Sequence, residues 1–305
     1  MSLEFEVVGM DIGNLTTIAT SGEKTRVFDS RVSETDDLAK LGDKDKLFMF
    51  DGKLYSIEKG DLEFNRFKYQ KDNFIKLLYY GISKITDSDI VKIVIGIPAG
   101  EYSKRKDHLK EIIEKNNSRE ISVYDEDGNL KKRSIFIQEV VVIPESYSVK
   151  TLDIMESVSK DSELLVVDVG GGTTDIAQFD TDSNFKNGKS VYTGLVDLYK
   201  DVQEFIEDSL NARISLAEVK KYVDGDLKHH ADPKAIDGYI EKFYRNLVNG
   251  IKSHFEIPRY NIILAGGGAE KIYPFFKKDY PHALILTDIT ANSVGFYAVG
   301  TKLWK

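Results

Sequence analysis

The chain has 305 residues, too many for one compact core and comfortable for two domains of about 150 each. Its 41% hydrophobic and 11% aromatic content suits a globular protein, and no apolar run approaches the roughly 18 residues of a membrane span. A net charge of -8 argues against wrapping nucleic acid over the whole surface, and zero cysteines exclude disulfides and thiolate metal sites.

The opening Met-Ser-Leu-Glu-Phe-Glu is acidic and runs straight into strand pattern. It reads as neither a signal peptide nor a basic amphipathic anchor, so the expectation is a cytoplasmic protein without a membrane partner. Three strands lead off, followed by a hairpin over residues 48–57 that turns at Asp51-Gly52, a strong short-range hairpin signal. Phe74, Leu77, Leu78, Ile82 and Ile85 then share one face of a helix. A buried strand at Ile90–Ile97 ends at Pro98, a helix covers residues 103–115, and a second hairpin over 121–137 turns at Asp127-Gly128. A strand at 140–143 meets Pro144-Glu145-Ser146, and a helix is expected over 149–158.

The second half restarts with a strand at 164–167 and a glycine hairpin whose return strand covers 175–179. Helices are expected over Leu195–Leu210, 216–223 and 233–255. Ser215 and Glu218 form a capping box, and Pro233 stands at a first helical position. Ile236, Ile240, Phe243, Leu247, Ile251 and Phe255 recur at helical spacing and read as core. A strand at Asn261–Ala265 runs into Gly266-Gly267-Gly268 and a helix, then come a strand at 283–286 and a last helix over 293–301. Residues 34–46 and 180–189 read as loops. The basic runs Lys104-Arg105-Lys106 and Lys131-Lys132-Arg133 read as solvated faces, without aromatic interleaving for stacking on bases. Five histidines show no ligand spacing beyond His229-His230, which reads as part of a solvated loop.

One pattern stands out. Asp11-Ile12-Gly13-Asn14-Leu15-Thr16-Thr17 and Asp168-Val169-Gly170-Gly171-Gly172-Thr173-Thr174 repeat the same Asp-x-Gly-x-x-Thr-Thr turn, each between two strands. At such a tip, glycine permits close backbone approach, amides and threonine hydroxyls can face an anion, and the aspartate faces an accompanying cation. Two such tips would clamp a metal-bound polyphosphate. The plainer reading is a tight hairpin whose aspartate caps the turn. Three consecutive glycines after an apolar strand weaken it and need some other reason to be there.

With these two loops stand Val142-Ile143-Pro144-Glu145-Ser146, Leu264-Ala265-Gly266-Gly267-Gly268-Ala269-Glu270 and the closing segment from Asn292 to Gly300. In their order and spacing the five segments resemble the actin and Hsp70 ATPase superfamily, and within it the plasmid-segregation actins of the ParM type. That resemblance implies an α/β, two-domain actin-like fold. Each domain would be a mixed five-stranded sheet with helices, a duplicated RNase H-like unit, with nucleotide in the interdomain cleft. Domain I would comprise residues 1–146 plus 292–305, and domain II residues 147–291.

It further implies ATP or GTP as the nucleotide and Mg2+ held through water by Asp11 and Asp168, as suits a hard ion that keeps part of its hydration shell. Backbone amides of Gly13, Asn14 and Leu15 and of Gly170, Gly171, Gly172 and Thr173, with the hydroxyls of Thr16, Thr173 and Thr174, would hold the phosphates. Glu145 would orient or activate the attacking water, so Glu145, Asp168 and Asp11 form the catalytic set. The alternative for Glu145 is a helix N-terminal acid favoured by the macrodipole. Gly266, Gly267 and Gly268 would let backbone approach the α-phosphate and sugar, and Tyr273 would lie beside the base or simply in the core. Many actins carry a lysine after the first phosphate loop, which Thr16-Thr17-Ile18-Ala19-Thr20 lacks. The phosphate charge must then be met by Mg2+, amides or a Lys or Arg from elsewhere.

The function so implied is an actin-like ATPase that polymerises on nucleotide binding and disassembles after hydrolysis, driving plasmid segregation. Its partners would be itself, as a helical filament, and a DNA-binding adaptor at a plasmid centromere, with no direct nucleic-acid contact. The alternative is a small-molecule kinase of the same superfamily. A chaperone of the Hsp70 type would need a peptide-binding domain for which no residues remain.

Overall fold

The computed structural model describes residues 4–35, 44–61, 63, 65, 67–124, 129–226 and 232–305. The Asp127-Gly128 turn and the His229-His230 pair lie outside them, as do residues 36–43 of the 34–46 loop. Two compact units divide the chain: Met1–Ser157 with Thr290–Lys305, and Val158–Ile289.

In chain order the first unit runs β1 (Glu6–Ile12), β2 (Thr16–Ser21), β3 (Lys24–Asp29), β4 (Val32–Glu34), β5 (Leu47–Phe50), β6 (Lys53–Ile57), α1 (Phe74–Ile85), β7 (Ile90–Ile97), α2 (Tyr102–Glu114), β8 (Ser118–Tyr124) and β9 (Leu130–Pro144). The second unit holds β10 (Leu164–Val169), β11 (Thr174–Phe179), β12 (Phe185–Val191), α3 (Leu195–Leu210), α4 (Leu216–Asp224), α5 (Pro233–Lys252), β13 (Asn261–Ala265), α6 (Ala269–Asp279) and β14 (Leu284–Ile285). The chain then returns to the first unit with α7 (Ala291–Trp304).

Both units share one plan. In the first, β3-β2-β1 form an antiparallel meander and β7 and β9 lie parallel to β1; in the second, β12-β11-β10 form the meander and β13 and β14 continue the sheet in parallel. The repeated hairpin tip is thus the local sign of a repeated sheet. Among the described residues the second unit has five strands, but the first sheet has nine, in the order β3-β2-β1-β7-β9-β8-β5-β6-β4. The cause is β9, 15 residues long where the sequence suggested a hairpin arm and a separate strand. Its last part, from Phe136, pairs with β7, and its first part, to Phe136, pairs with β8, which brings in β5, β6 and β4. The ladder skips Gln138 between Val91 and Lys92, a bulge that resets the inward and outward alternation and hides the strand's continuity from a period-2 reading.

Central strands covered on both faces read as continuous apolar runs, and β1, β7 and β10 do so. Val8 and Met10 of β1 join the core that receives Leu77, Leu78 and Ile82 of α1. Gly9 on the opposite face meets α7, so closely that a Cβ there would fall on the Ser293 carbonyl and 2.5 Å from the Tyr297 nitrogen.

In the second unit the expected core residues of α5 are buried, together with Phe255 just beyond its end. The capping box closes as read: Ser215 N–H donates to Glu218 Oε2 at 2.8 Å, and Glu218 N–H to Ser215 Oγ at 3.3 Å. Three further expectations differ. Residues 149–158 are two short 3-10 turns, Tyr147–Thr151 and Asp153–Ser157, separated by an extended Leu152. Part of the 180–189 loop is β12, whose polar sequence and exposure give no alternation and which becomes a strand by pairing with β11. Arg133 is no solvated cation: it is 5% exposed and donates to the carbonyls of Thr86 at 2.7 Å and Ser88 at 2.6 Å.

Candidate functional site

In open α/β sheets, groups that meet ligands gather at the carboxyl ends of parallel strands. Asp11 is the penultimate residue of β1, Glu145 comes directly after β9, Asp168 is the penultimate residue of β10, and Gly266 comes directly after β13.

In the first unit Gly13 N–H donates to the Thr16 carbonyl at 2.8 Å, leaving Asn14-Leu15 as a two-residue tip. A Cβ on Gly13 would stand 2.7 Å from that carbonyl oxygen, so the turn requires glycine. Asn14 is 6% exposed, and its Oδ1 has no hydrogen-bond partner among the described residues. A buried polar atom without a partner is costly unless something else meets it.

The tip is approached by residues that sequence reading missed. Lys68 opens and Lys71 caps a 3-10 turn, Lys68–Gln70, where side chains three apart eclipse one another. Lys71 Nζ donates to the Gly13 carbonyl at 3.1 Å, and Lys68 Nζ grips both carboxylate oxygens of Glu145 at 2.8 and 3.0 Å. Glu145 is 5% exposed, and its N–H donates to the Ile97 carbonyl at 2.7 Å. Gly96 makes room for it, since a Cβ there would lie 2.9 Å from Glu145 Cγ and 2.7 Å from Phe296 Cζ. Glu145 therefore stands at a strand end in an ion pair, and the chain continues from it into a 3-10 turn rather than an α-helix. The only sequence signal for the lysines is their spacing in Phe67-Lys68-Tyr69-Gln70-Lys71, inside a stretch without periodicity.

Lys71 is 4% exposed, unusual for a lysine outside a functional site. Burial, and next the Lys68 ammonium, bring its amine down to about 7, against the pull of Glu63 and Glu145. An unfolded lysine titrates near 10.4, so between about pH 7 and 10 the unfolded chain binds one more proton than the folded one. Stability then rises with pH across that window, and the destabilisation is fully present below pH 7. Urea unfolding of the nucleotide-free protein at pH 6.5 and pH 9 should show this gain. Lys71→Met should lack that part of the gain and be the more stable protein at pH 6.5. Equal pH slopes in the two proteins would refute it.

The second unit repeats the tip. Gly170 N–H donates to the Thr173 carbonyl at 2.9 Å, leaving Gly171-Gly172 at the turn. The carbonyls of Gly170 and Gly171 accept from the N–H groups of Leu195 at 3.0 Å and Val196 at 2.8 Å, which seats the loop on the start of α3. Thr173 Oγ1 donates to Asp175 Oδ2 at 3.1 Å, and Ser190 Oγ donates to Asp175 Oδ1 at 2.5 Å. Thr174 is fully buried, with its hydroxyl on the Thr193 carbonyl at 2.8 Å. Its hydroxyl anchors the hairpin, so backbone amides are the donors this tip has to offer.

Asp168 is 9% exposed and pairs across the sheet with Asp175 on one side and Ala265 on the other. Gly266 has φ 83°, and a Cβ there would collide with Asp168 Oδ1. Gly268 is equally tight against Val169, and its N–H donates to the Val169 carbonyl at 3.0 Å. Gly267 has the room, its nearest neighbour being Leu195 at 3.9 Å. Tyr273 lies on α6, with its hydroxyl on the Ala283 carbonyl at 3.4 Å.

Asp11 in the first unit and Asp168 in the second each offer hard oxygen ligands of the kind Mg2+ prefers; the buried, unpartnered Asn14 oxygen at the first tip and the room at Gly267 in the second unit each fit contact with a metal–nucleotide ligand. Each unit presents carboxylate, amides and glycine at one end of its parallel strands.

Residues 9–147 match the family described as the N-terminal domain of actin-like proteins. The fold matches an archaeal actin homolog with TM-score 0.80 at 19% identity, covering 98% of this chain and 100% of that one, and the same protein is known in complex with ADP. A non-polymerisable quadruple mutant of the pCBH ParM matches with TM-score 0.79 at 19% identity over 98% of this chain and 100% of that one. A subunit of a 15-stranded ParM filament from Clostridium botulinum matches with TM-score 0.78 at 17% identity over 98% and 99%. No curated protein matches the sequence.

Proposed function

From a chain whose residues 9–147 match the N-terminal domain of actin-like proteins and whose fold is actin-like throughout, we propose an ATPase that polymerises on nucleotide binding and disassembles after hydrolysis. The observation that carries this reading is the carboxylate of Glu145, buried at the end of β9 in the same unit as a hairpin tip with an unpartnered Asn14 oxygen and a buried Lys71. In this reading the amides of the two tips hold the phosphates. Lys71 and Lys68 supply the positive charge that the stretch after the first loop lacks. Asp11 and Asp168 would hold Mg2+, whose charge would offset that of the phosphates. Glu145 takes the proton of the attacking water once Lys68 shifts toward the phosphate.

Assembly would be into a filament, as the similarity to a ParM filament subunit supports; identical subunits joined by a heterologous, non-closing contact make an open helix. A DNA-binding adaptor would couple such a filament to a plasmid, in keeping with this chain's own acidity.

Light scattering and pelleting test the reading. With Mg-ATP, scattering should rise only above a threshold protein concentration and decline as ATP is consumed, because the triphosphate-bound state presents the matching surfaces. A slowly hydrolysed analogue should give a lasting plateau. No pelleting with any nucleotide, together with phosphate transfer to a metabolite, would favour the kinase instead.

A further inference from the structure

Asn292 stands in the first turn of α7, two residues after the chain re-enters the first unit. Its carboxamide has two jobs. Oδ1 accepts from the Ser146 N–H at 3.2 Å and from the Ser148 hydroxyl at 2.9 Å, while Nδ2 donates to Asp11 Oδ2 at 3.3 Å. The segment it holds is strained. Ser146, next to Glu145, is fully buried at φ 70°, and its own hydroxyl oxygen has no partner among the described residues. A non-glycine residue in that region is strained and persists where its surroundings over-determine it. Asn292 is one such constraint. Gly295 is another, since one helical turn further along α7 a Cβ would lie 2.8 Å from the Ser148 Cα, so helix and turn pack without slack.

We infer that Asn292 is a positioning residue that ties the carboxylate of Asp11 to the turn carrying Glu145, so that occupancy at Asp11 is felt at the attacking-water position. This role rests on Asp11 and Glu145 acting in the ATPase as proposed. Replacing Asn292 by aspartate keeps an acceptor for Ser146 and Ser148 but exchanges the donor to Asp11 for a second carboxylate, so the tie becomes a repulsion. Replacing it by alanine removes both.

Two measurements on the full chain separate the roles. Hydrogen exchange of a peptide covering residues 145–152 should be as slow in Asn292→Asp as in the parent and faster in Asn292→Ala. Adding Mg2+ and ADP should alter that exchange in the parent and in neither variant. With ATP, both variants should lose about tenfold or more in kcat with little change in KM, the pattern of a misplaced catalytic group. A parental nucleotide response or parental kcat in Asn292→Asp would overturn the link to Asp11. Unchanged exchange in Asn292→Ala would overturn the hold on the turn. If the parent bound nucleotide but never hydrolysed it, the proposed function would fail while the exchange result still decided the tie.

Discussion

Glu145→Gln is expected to lower ATP hydrolysis by about 10²-fold or more while nucleotide affinity stays within about threefold, as for the loss of a general base. Glutamine is the informative substitution because of Lys68. The ammonium contacts both oxygens of Glu145 in a pair whose side chains are 14% and 6% exposed, and alanine would take the carboxylate away from a buried charge, which by itself destabilises. Glutamine keeps the shape and one acceptor, so a fall in turnover reports on the missing base. A single-turnover measurement with bound ATP decides it. Hydrolysis at the parental rate would leave Glu145 as nothing more than the anchor of Lys68.

Gly9→Ala should be the most destabilising single methyl in the first unit, with an expected loss of at least about 3 kcal/mol. The added Cβ would meet the Ser293 carbonyl and the Tyr297 nitrogen and Cα, all of them backbone of α7, so no side-chain rotation can relieve it. β1 cannot give way either, being paired on one side with β2 and on the other with β7. Relief would require α7 to lift, which would also pull Asn292 away from Asp11 and Ser146. Urea unfolding within about 0.5 kcal/mol of the parent, the range of an inert surface change, would show that the helix slides freely.

Much of the fold is local, and local signals revealed it. The Asp-x-Gly-x-x-Thr-Thr repeat located both hairpin tips because a two-residue turn closed by a glycine amide on a threonine carbonyl is decided within a few residues. The faces of α1 and α5 and the cap at Ser215 were legible for the same reason: the residues that make the contact stand three or four apart. Even so, Thr174 faced the interior rather than the tip. Which threonine hydroxyl is left for a ligand depends on the Thr193 carbonyl, 19 residues away.

The tertiary structure decided everything that joins distant segments. Lys71 reaches Gly13 across 58 positions, Lys68 reaches Glu145 across 77, and Asn292 reaches Asp11 across 281. The continuity of β9, and with it the nine-stranded sheet, depended on β8 taking over the pairing beyond Phe136. The sequence by itself determined the turns, the helix faces and the duplicated plan, because periodicity and turn chemistry act over a handful of residues. The charge that meets the first tip and the tether on the turn after Glu145 were set only when the parallel strands brought their carboxyl ends side by side, since a hydrogen bond depends on distance in space and not on separation along the chain.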